Sequence, residues 1–385
     1  MSNPRKVLVI GAGIGGLAAG ALLAQKGIEV DIVEIRPDSN VLGIGINQPA
    51  NSLRVLERIG VLDEICDAGF QYAEWRYNDQ DGKLIASCPS NMGDDGIPAN
   101  NALARKDLHS ILIGAATRAG VNIRYGLTID TFDSLPDRVE VTLTDGVRAS
   151  YDLVVAFDGV NSAIRRQLFG TAYEPVYTGY SVWRVLAPRP RDITCINLFQ
   201  SIGAKAGVIP LSEDWMYLLN VTPEPEVRYR QEDFVEMLRE RLQTFGGLVG
   251  EIRDQHLKAD SNVVYSPLKE CMLPEPWFKG RVVVCGDAAH ACSPHLTQGA
   301  AMALEDAMVL AEELVADRSR SVEHTLGVFM RRRYPRARFV QDASHQILAD
   351  EMAVTADNLA AARMKMVADL PRHMAAADAF LNQPA

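Results

Sequence analysis

Residues 5–16, RKVLVIGAGIGG, decide the fold. Arg5–Ile10 is a short apolar run that ends in glycine, which predicts a buried strand. Ile14 to Lys26 is rich in Ala, Leu and Gly and reads as a helix closed by Gly27. Glu29–Glu34 (EVDIVE) predicts a second strand. Parallel strands need such a crossover, so this is a β-α-β unit. Gly11 allows the tight turn, Gly13 lets the backbone approach a pyrophosphate, and Gly16 lets helix and strand pack closely. Ile14 and Gly15 begin the helix whose free N–H groups would receive that anion. Glu34 follows Gly16 by 18 residues, at the end of the second strand, where a carboxylate can take both ribose hydroxyls of an adenosine.

At 385 residues the chain is long enough for two domains. It is 48% hydrophobic and 23% charged, an ordinary globular balance that excludes bulk disorder. Lys and Arg number 39 against 49 Asp and Glu, and the resulting charge of −10 argues against a nucleic-acid binder. No run of apolar residues is long enough to span a membrane. The start of the chain lacks a signal-peptide layout, so a cytoplasmic location is expected. Six scattered cysteines without a C-x-x-C spacing read as reduced thiols, and no metal site is expected.

Further along, Pro49–Ile59 has helical spacing. Gln71–Cys88 reads as two strands turning at Asp79–Gly82. Ser90–Asn101 reads as a polar loop and Lys106–Ala119 as a helix. Strands are expected at Val121–Tyr125, Val139–Leu143 and Asp152–Phe157. From Pro175 to Leu268 the pattern is mainly antiparallel strands with a helix near Phe234–Leu242. Val282–Cys285 is a buried strand, Ala300–Val315 a helix, and the chain is helical from His324 onward. The expected fold is therefore α/β. A discontinuous Rossmann-like domain (1–71, 100–174, 269–340) carries an inserted, mainly antiparallel β-rich substrate domain (72–99, 175–268). A helical segment (341–385) closes the chain.

Two further segments narrow the cofactor. Residues 152–165, DLVVAFDGVNSAIR, are a strand, an Asp-Gly turn at Asp158-Gly159, then a helix. Residues 280–290, GRVVVCGDAAH, are a strand ending in Gly286-Asp287. The order of dinucleotide, Asp-Gly and Gly-Asp motifs resembles the single-component flavoprotein aromatic hydroxylases, the group that includes 4-hydroxybenzoate hydroxylase. The likeness covers about Lys6 to Arg338. Residues 294–307, PHLTQGAAMALEDA, resemble that family's flavin-ring loop. The match looks closest to hydroxylases of hydroxylated N-heteroaromatic acids, of the 6-hydroxynicotinate 3-monooxygenase type.

The resemblance implies FAD as cofactor, NADH or NADPH as transient reductant and O₂ as co-substrate. A flavin C4a-hydroperoxide would hydroxylate an electron-rich, hydroxylated and carboxylated aromatic or N-heteroaromatic ring, as in aromatic catabolism. It implies that Asp287 accepts from the ribityl hydroxyls and that Gly286 leaves room for the chain. Gln298, Gly299, Ala300 and Ala301 would place N–H groups against the flavin N1–C2=O edge, where charge develops on reduction. Arg105 would contact the adenosine ribose and diphosphate, and Asp158 and Gly159 would lie near flavin and nicotinamide. Arg36 stands one residue later than the basic residue that often follows the acid, because Ile35 intervenes. Asn47 stands where some N-heteroaromatic members carry His.

For catalysis the candidates are His295, Pro294 beside the reactive face, and Tyr217; for substrate binding they are Asn47, Arg184, Tyr217 and His295. Each has a plainer reading. His295 serves equally as a satisfied structural histidine, Arg184 as a member of a surface or inter-strand ion pair, and Tyr217 as a core tyrosine. Tyr72 and Arg76 are weaker candidates. His290 reads as packed under the Gly-Asp turn, and Arg331-Arg332-Arg333 as a solvated helix face. The Met- and Ala-rich tail would cover the pocket, pair two chains into a homodimer, or simply pack on its own domain. Alternative activities on the same fold are ring-opening, epoxidising or urate-type oxygenation, and a flavin dehydrogenase without oxygen insertion.

Overall fold

The computed structural model describes residues 4–40, 43–94 and 96–385. Its main sheet has six strands, in the spatial order Phe278–Lys279, Val282–Val284, Leu153–Ala156, Lys6–Ile10, Glu29–Glu34, Asn122–Tyr125. All neighbours pair in parallel except the Phe278–Lys279 edge strand. The inner strands are covered on both faces, which is why they read as continuous apolar runs. Val7, Leu8, Val9, Val154, Val155, Val283 and Val284 are all buried in one cluster with the helices Ile14–Gln25 and Gly299–Ala316.

A second sheet of seven strands is built from two stretches of chain. Its order is Val264–Glu270, Val176–Pro188, Trp215–Pro223, Lys205–Pro210, Ile196–Gln200, Glu74–Asp79, Leu84–Pro89. Every pairing is antiparallel except Ile196–Gln200 with Glu74–Asp79. One face of it carries Trp183, Val185, Val208, Met216 and Leu218 against the helix Phe234–Arg241. There Glu224 accepts hydrogen bonds from Trp183 Nε1 at 3.1 Å, Tyr229 Oη at 2.7 Å and Arg241 Nε at 2.6 Å. The adjacent residue Arg184 faces the other way, as strand alternation requires.

Several elements were not expected. Gly45–Pro49, Asn100–Ala104 and Gly69–Tyr72 form a small antiparallel sheet, so the expected loop at Ser90–Asn101 ends in a strand. Ile129–Ser134 and Arg148–Tyr151 flank Val139–Leu143 in a three-stranded meander. The helix Val322–Met352 runs straight through the expected boundary at residue 340. It carries Pro335 internally and leads to a last helix, Leu359–Leu381. That last helix lies over the second sheet. Met374 joins its aromatic cluster, Arg363 donates to Gln80 Oε1 at 2.7 Å, and Asp378 accepts from Asn91 N at 2.7 Å. Among the described residues, no helix is long and apolar enough to cross a membrane, and no cluster of potential ligands is suited to a metal ion.

Candidate active site

The parallel sheet sets Val282–Val284, Leu153–Ala156 and Lys6–Ile10 side by side, so the loops at their carboxyl ends converge. These loops carry Gly286-Asp287, Asp158-Gly159 and Gly11–Gly16. One residue joins all three. A Cβ on Gly11 would lie 2.4 Å from Phe157 O, one on Gly15 2.6 Å from the Phe157 ring, and one on Gly286 3.2 Å from it. A Cβ on Gly16 would fall 1.9 Å from Gly11 O, so only glycine lets the helix close on the strand. Gly13 is different: a Cβ there meets nothing within 4 Å.

Glu34 is buried at the end of its strand, accepting from Ala12 N at 2.8 Å and Arg36 N at 3.0 Å. His109 donates from Nε2 to Ala12 O at 2.7 Å, a contact between residues 97 apart that no motif signals. Arg105, at the start of its helix, is half-buried, and its enclosed Nε has no hydrogen-bond partner. Burial pulls its proton affinity down, while the carboxylate of Asp287 opposes that. Asp158 Oδ2 accepts from Ile164 N at 3.1 Å, but its buried Oδ1 accepts from nothing, and burial pushes its pKa up. Asp287 faces a cavity of about 630 Å³ whose walls include Val160, Asn161, Ala291, Cys292 and Lys269.

These features fit FAD. The open space at Gly13, before a helix N-terminus, suits a pyrophosphate. The orphaned Arg105 nitrogen suits an anion, and the idle Asp158 oxygen suits a donor.

The loop ahead of the helix Gly299–Ala316 is held by an ionic cluster. The helix Gly299–Ala316 makes its first intrahelical bond from Met302 N to Gln298 O, which leaves the N–H groups of Gly299, Ala300 and Ala301 unspent. One turn later, Asp306 accepts from Gly286 N at 2.8 Å, His290 Nε2 at 2.6 Å and Arg333 Nε at 2.7 Å. Glu305 accepts from Arg333 Nη1 at 2.6 Å, Arg336 Nε at 2.6 Å and Asn51 Nδ2 at 2.8 Å. Asn51 in turn donates to Gln298 Oε1 at 2.9 Å. Burial works against the ionised Asp306, but His290 and Arg333 outweigh it and hold its pKa at about 2. The expected solvated face at Arg331–Arg333 is therefore corrected. Arg331 is exposed, but Arg333 is fully buried, because Glu305 and Asp306 supply counter-charge that a linear reading does not reveal. His290 does pack as a structural residue, its ring 4.9 Å from that of Trp277.

Pro294 opens the turn Pro294–Leu296, ahead of Thr297 in the left-handed region at φ 55°. Asn47 reaches this loop: Nδ2 donates to Thr297 Oγ1 at 3.2 Å and Asn100 Oδ1 at 2.9 Å, which leaves its own Oδ1 without a partner. Tyr217 packs with Tyr72, Trp75, Ile209 and Leu211, its ring so close to Gly45 that a Cβ there would lie 2.4 Å away. The Tyr72 hydroxyl is buried and unpartnered.

Arg184 corrects another expectation. Among the described residues it has no ion pair and no hydrogen-bond acceptor. It is half-buried near Tyr217 and Arg105, where desolvation lowers its pKa. Arg76 lies elsewhere, paired to Glu74 at 3.0 Å beside a second cavity. His295 is buried, with Nδ1 2.9 Å from Ser293 Oγ and Nε2 3.2 Å from Glu351 Oε2. Glu351 is also bound by Lys205 Nζ at 2.8 Å. Neither Lys205 nor Glu351 stands in a motif, so the sequence carried no signal for them.

A family model described as an FAD binding domain matches residues 5–344. A 2-heptyl-3-hydroxy-4(1H)-quinolone synthase of Pseudomonas aeruginosa is 33% identical over 347 residues, 88% of this chain and 87% of that one. A 6-hydroxynicotinate 3-monooxygenase of Pseudomonas fluorescens is 30% identical over 373 residues, 90% of this chain and 91% of that one. Among solved structures, Klebsiella pneumoniae HpxO with FAD and uric acid superposes with a TM-score of 0.86 at 21% identity, covering 99% of this chain and 97% of that one. The chain belongs to this FAD-binding family. It is a flavoprotein monooxygenase of the aromatic-hydroxylase type, with FAD as its cofactor.

Proposed function

We propose that the enzyme hydroxylates a small, electron-rich aromatic or N-heteroaromatic ring that bears a hydroxyl and a carboxylate, with electrons from NADH or NADPH. The observation that carries this reading is Arg184, a guanidinium held among protein atoms with no acceptor, beside Tyr217 in an aromatic-walled site. A half-buried guanidinium without a protein counter-ion is free to bind an anion, and a planar carboxylate is its natural partner. The names of both curated relatives describe oxygen-bearing N-heteroaromatic rings, and one of them, 6-hydroxynicotinate, is a carboxylate.

In this reading the seven-stranded sheet with its flanking segments (72–99, 175–268) is the substrate domain. Arg184 clamps the carboxylate, and the Tyr72 and Tyr217 hydroxyls orient ring substituents. FAD, when bound, supplies the activation of O₂ and the transfer of one oxygen atom. Gly13, Glu34, Arg36, Arg105, Asp158 and Asp287 hold it, and the N-terminus of the Gly299–Ala316 helix stabilises charge on its ring. The ring hydroxyl must lose its proton before the ring is electron-rich enough to be attacked, and in this reading the Tyr217 hydroxyl relays it. Pro294 and the apolar cluster keep water away from the reacting face.

The test is NAD(P)H oxidation with O₂ uptake across hydroxylated pyridine carboxylates and benzoates, with product mass as readout. Arg184→Met raises KM for carboxylated substrates by ~10–150-fold, the cost of about 1.5–3 kcal/mol for a charged hydrogen bond. It leaves KM for decarboxylated analogues unchanged. Equal effects on both would remove the carboxylate assignment.

A further inference from the structure

Among the described residues, Thr297 is the one non-glycine residue whose backbone lies at positive φ, 55°. It separates the turn Pro294–Leu296 from the helix Gly299–Ala316, and its N–H donates back to Pro294 O at 3.0 Å. A β-branched side chain in the left-handed region is strained, and glycine or asparagine would take the same turn at less cost. The shape of the loop therefore does not account for a threonine. Strain of this kind points to a use for the side chain.

The hydroxyl has one capacity unspent. It carries one hydrogen and two lone pairs. Asn47 Nδ2 donates to Oγ1 at 3.2 Å, which takes a lone pair. The hydrogen finds no acceptor among the described residues. The other Nδ2 hydrogen of Asn47 is held by Asn100 Oδ1 at 2.9 Å, so the amide is fixed as a donor toward Thr297 and turns the hydroxyl hydrogen away from the small sheet. Thr297 is only half-buried, whereas His295, two residues earlier, is buried.

The strand Gly45–Pro49 places this hydroxyl relative to the aromatic-walled site. Gly45 and Asn47 are two residues apart, so they present the same face of the strand at positions roughly 6–7 Å apart. At Gly45 the side-chain position is taken by the Tyr217 ring, 2.4 Å from where a Cβ would lie. Tyr217 in turn adjoins Arg184. One face of one strand thus carries Tyr217 at one end and, through Asn47, the Thr297 hydroxyl at the other. A single substituted ring can bridge that spacing.

We propose that Thr297 is a specificity-determining residue, whose hydroxyl hydrogen, oriented by Asn47, is donated to a lone pair on the ring edge that Arg184 and Tyr217 leave free. A ring nitrogen or a second ring oxygen supplies such a lone pair, and a C–H edge does not. This role rests on the contacts given to Arg184 and Tyr217 above.

Three probes test it. Each carries a carboxylate and a hydroxyl in meta relation, and they differ at the third alternate ring position. 5-Hydroxynicotinate has nitrogen there, 3,5-dihydroxybenzoate an oxygen and 3-hydroxybenzoate a C–H. Their Kd values are read from the perturbation of flavin absorbance in oxidised, FAD-loaded enzyme without reductant. The wild type binds one of the first two ~2–12-fold more tightly than 3-hydroxybenzoate, the worth of one neutral hydrogen bond. Which one it favours tells ring nitrogen from ring oxygen. Thr297→Val and Thr297→Gly abolish the preference and leave the Kd for 3-hydroxybenzoate unchanged, while Thr297→Ser keeps the preference. Asn47→Asp abolishes it with the hydroxyl still in place, because the new carboxylate takes the hydrogen for itself.

A wild type without preference, a preference that survives Thr297→Gly, or one lost in Thr297→Ser overturns the proposal. The glycine variant separates hydroxyl from loop shape, since glycine keeps the left-handed turn without strain. Should Thr297→Val fail to fold, the serine and glycine variants decide. Failure of the carboxylate reading looks different: Arg184→Met then leaves all three Kd values unchanged. If none of the probes binds to the wild type, both fall together.

Discussion

Replacing Gly13 by Ala separates cofactor binding from folding. Gly13 precedes the helix Ile14–Gln25 with φ −76° and ψ −176°, a conformation open to any residue. A Cβ there meets no protein atom within 4 Å. The apoprotein should therefore tolerate the change, losing only about 0.5–1 kcal/mol because Ala caps a helix less well than Gly. The methyl group would instead fill the space assigned to the pyrophosphate. Pushing that group back forfeits one or more charged hydrogen bonds of about 1.5–3 kcal/mol each, or ~10–150-fold in the Kd for FAD. Gly16→Ala is the control. Its Cβ would lie 1.9 Å from a backbone oxygen that no rotamer change can move, so the apoprotein itself loses ~3 kcal/mol or more. Thermal unfolding of flavin-free protein and titration with FAD by fluorescence quenching measure the two quantities. If Gly13→Ala binds FAD with the wild-type Kd, or lowers the apoprotein Tm as much as Gly16→Ala does, the placement of the pyrophosphate is wrong.

Other outcomes follow from the buried charges. Arg333→Met leaves Glu305 and Asp306 buried with too little counter-charge and should cost ~3–5 kcal/mol, read as a fall in denaturant midpoint. The Asp306 pKa is depressed to about 2 from a usual value near 4, so its contribution is complete above pH ~4 and is lost as pH falls through 2. Acid unfolding followed by circular dichroism should show this loss in the wild type, and Asp306→Asn should flatten it. Glu224→Ala should strand Arg241 and the Trp183 indole N–H, destabilising the seven-stranded sheet by ~2–4 kcal/mol, while the flavin-free Gly13 region still binds FAD.

The parallel sheet and its three turns were legible because each turn carries a local signal: Gly11 and Gly286 stand where a side chain would meet Phe157, with Glu34 and Asp287 at fixed distances, and the third turn is marked by its Asp158-Gly159 pair, the glycine at φ 78° in open space. The small sheet of Gly45–Pro49, Gly69–Tyr72 and Asn100–Ala104 was not. Its segments GINQP, GFQY and NNALA have no period-two alternation, and their pairing partners lie far away in sequence. Arg333 and Arg184 were misjudged for a related reason. An arginine's partner, or its lack of one, is a property of the assembled fold. Three consecutive arginines on one helix give no hint that the third is buried against Glu305 and Asp306. The same holds for Glu351, which lies 56 residues after His295 and touches it only because the long helix folds back over the flavin loop.

The reliance of the Gly-Asp turn on Arg333 also bears on how the protein is made. Lys6–Ile10, synthesised well before Leu153–Ala156, occupies the middle of its sheet and must wait for that strand to flank it. The loop bearing Gly286 stays unanchored until Asp306, and then Arg333 and Arg336, have emerged. No N-terminal fragment that stops short of Arg336 contains a finished nucleotide cradle. Flavin capture should therefore come late in biosynthesis, with a stalled or truncated chain accumulating as a colourless species even where free FAD is abundant.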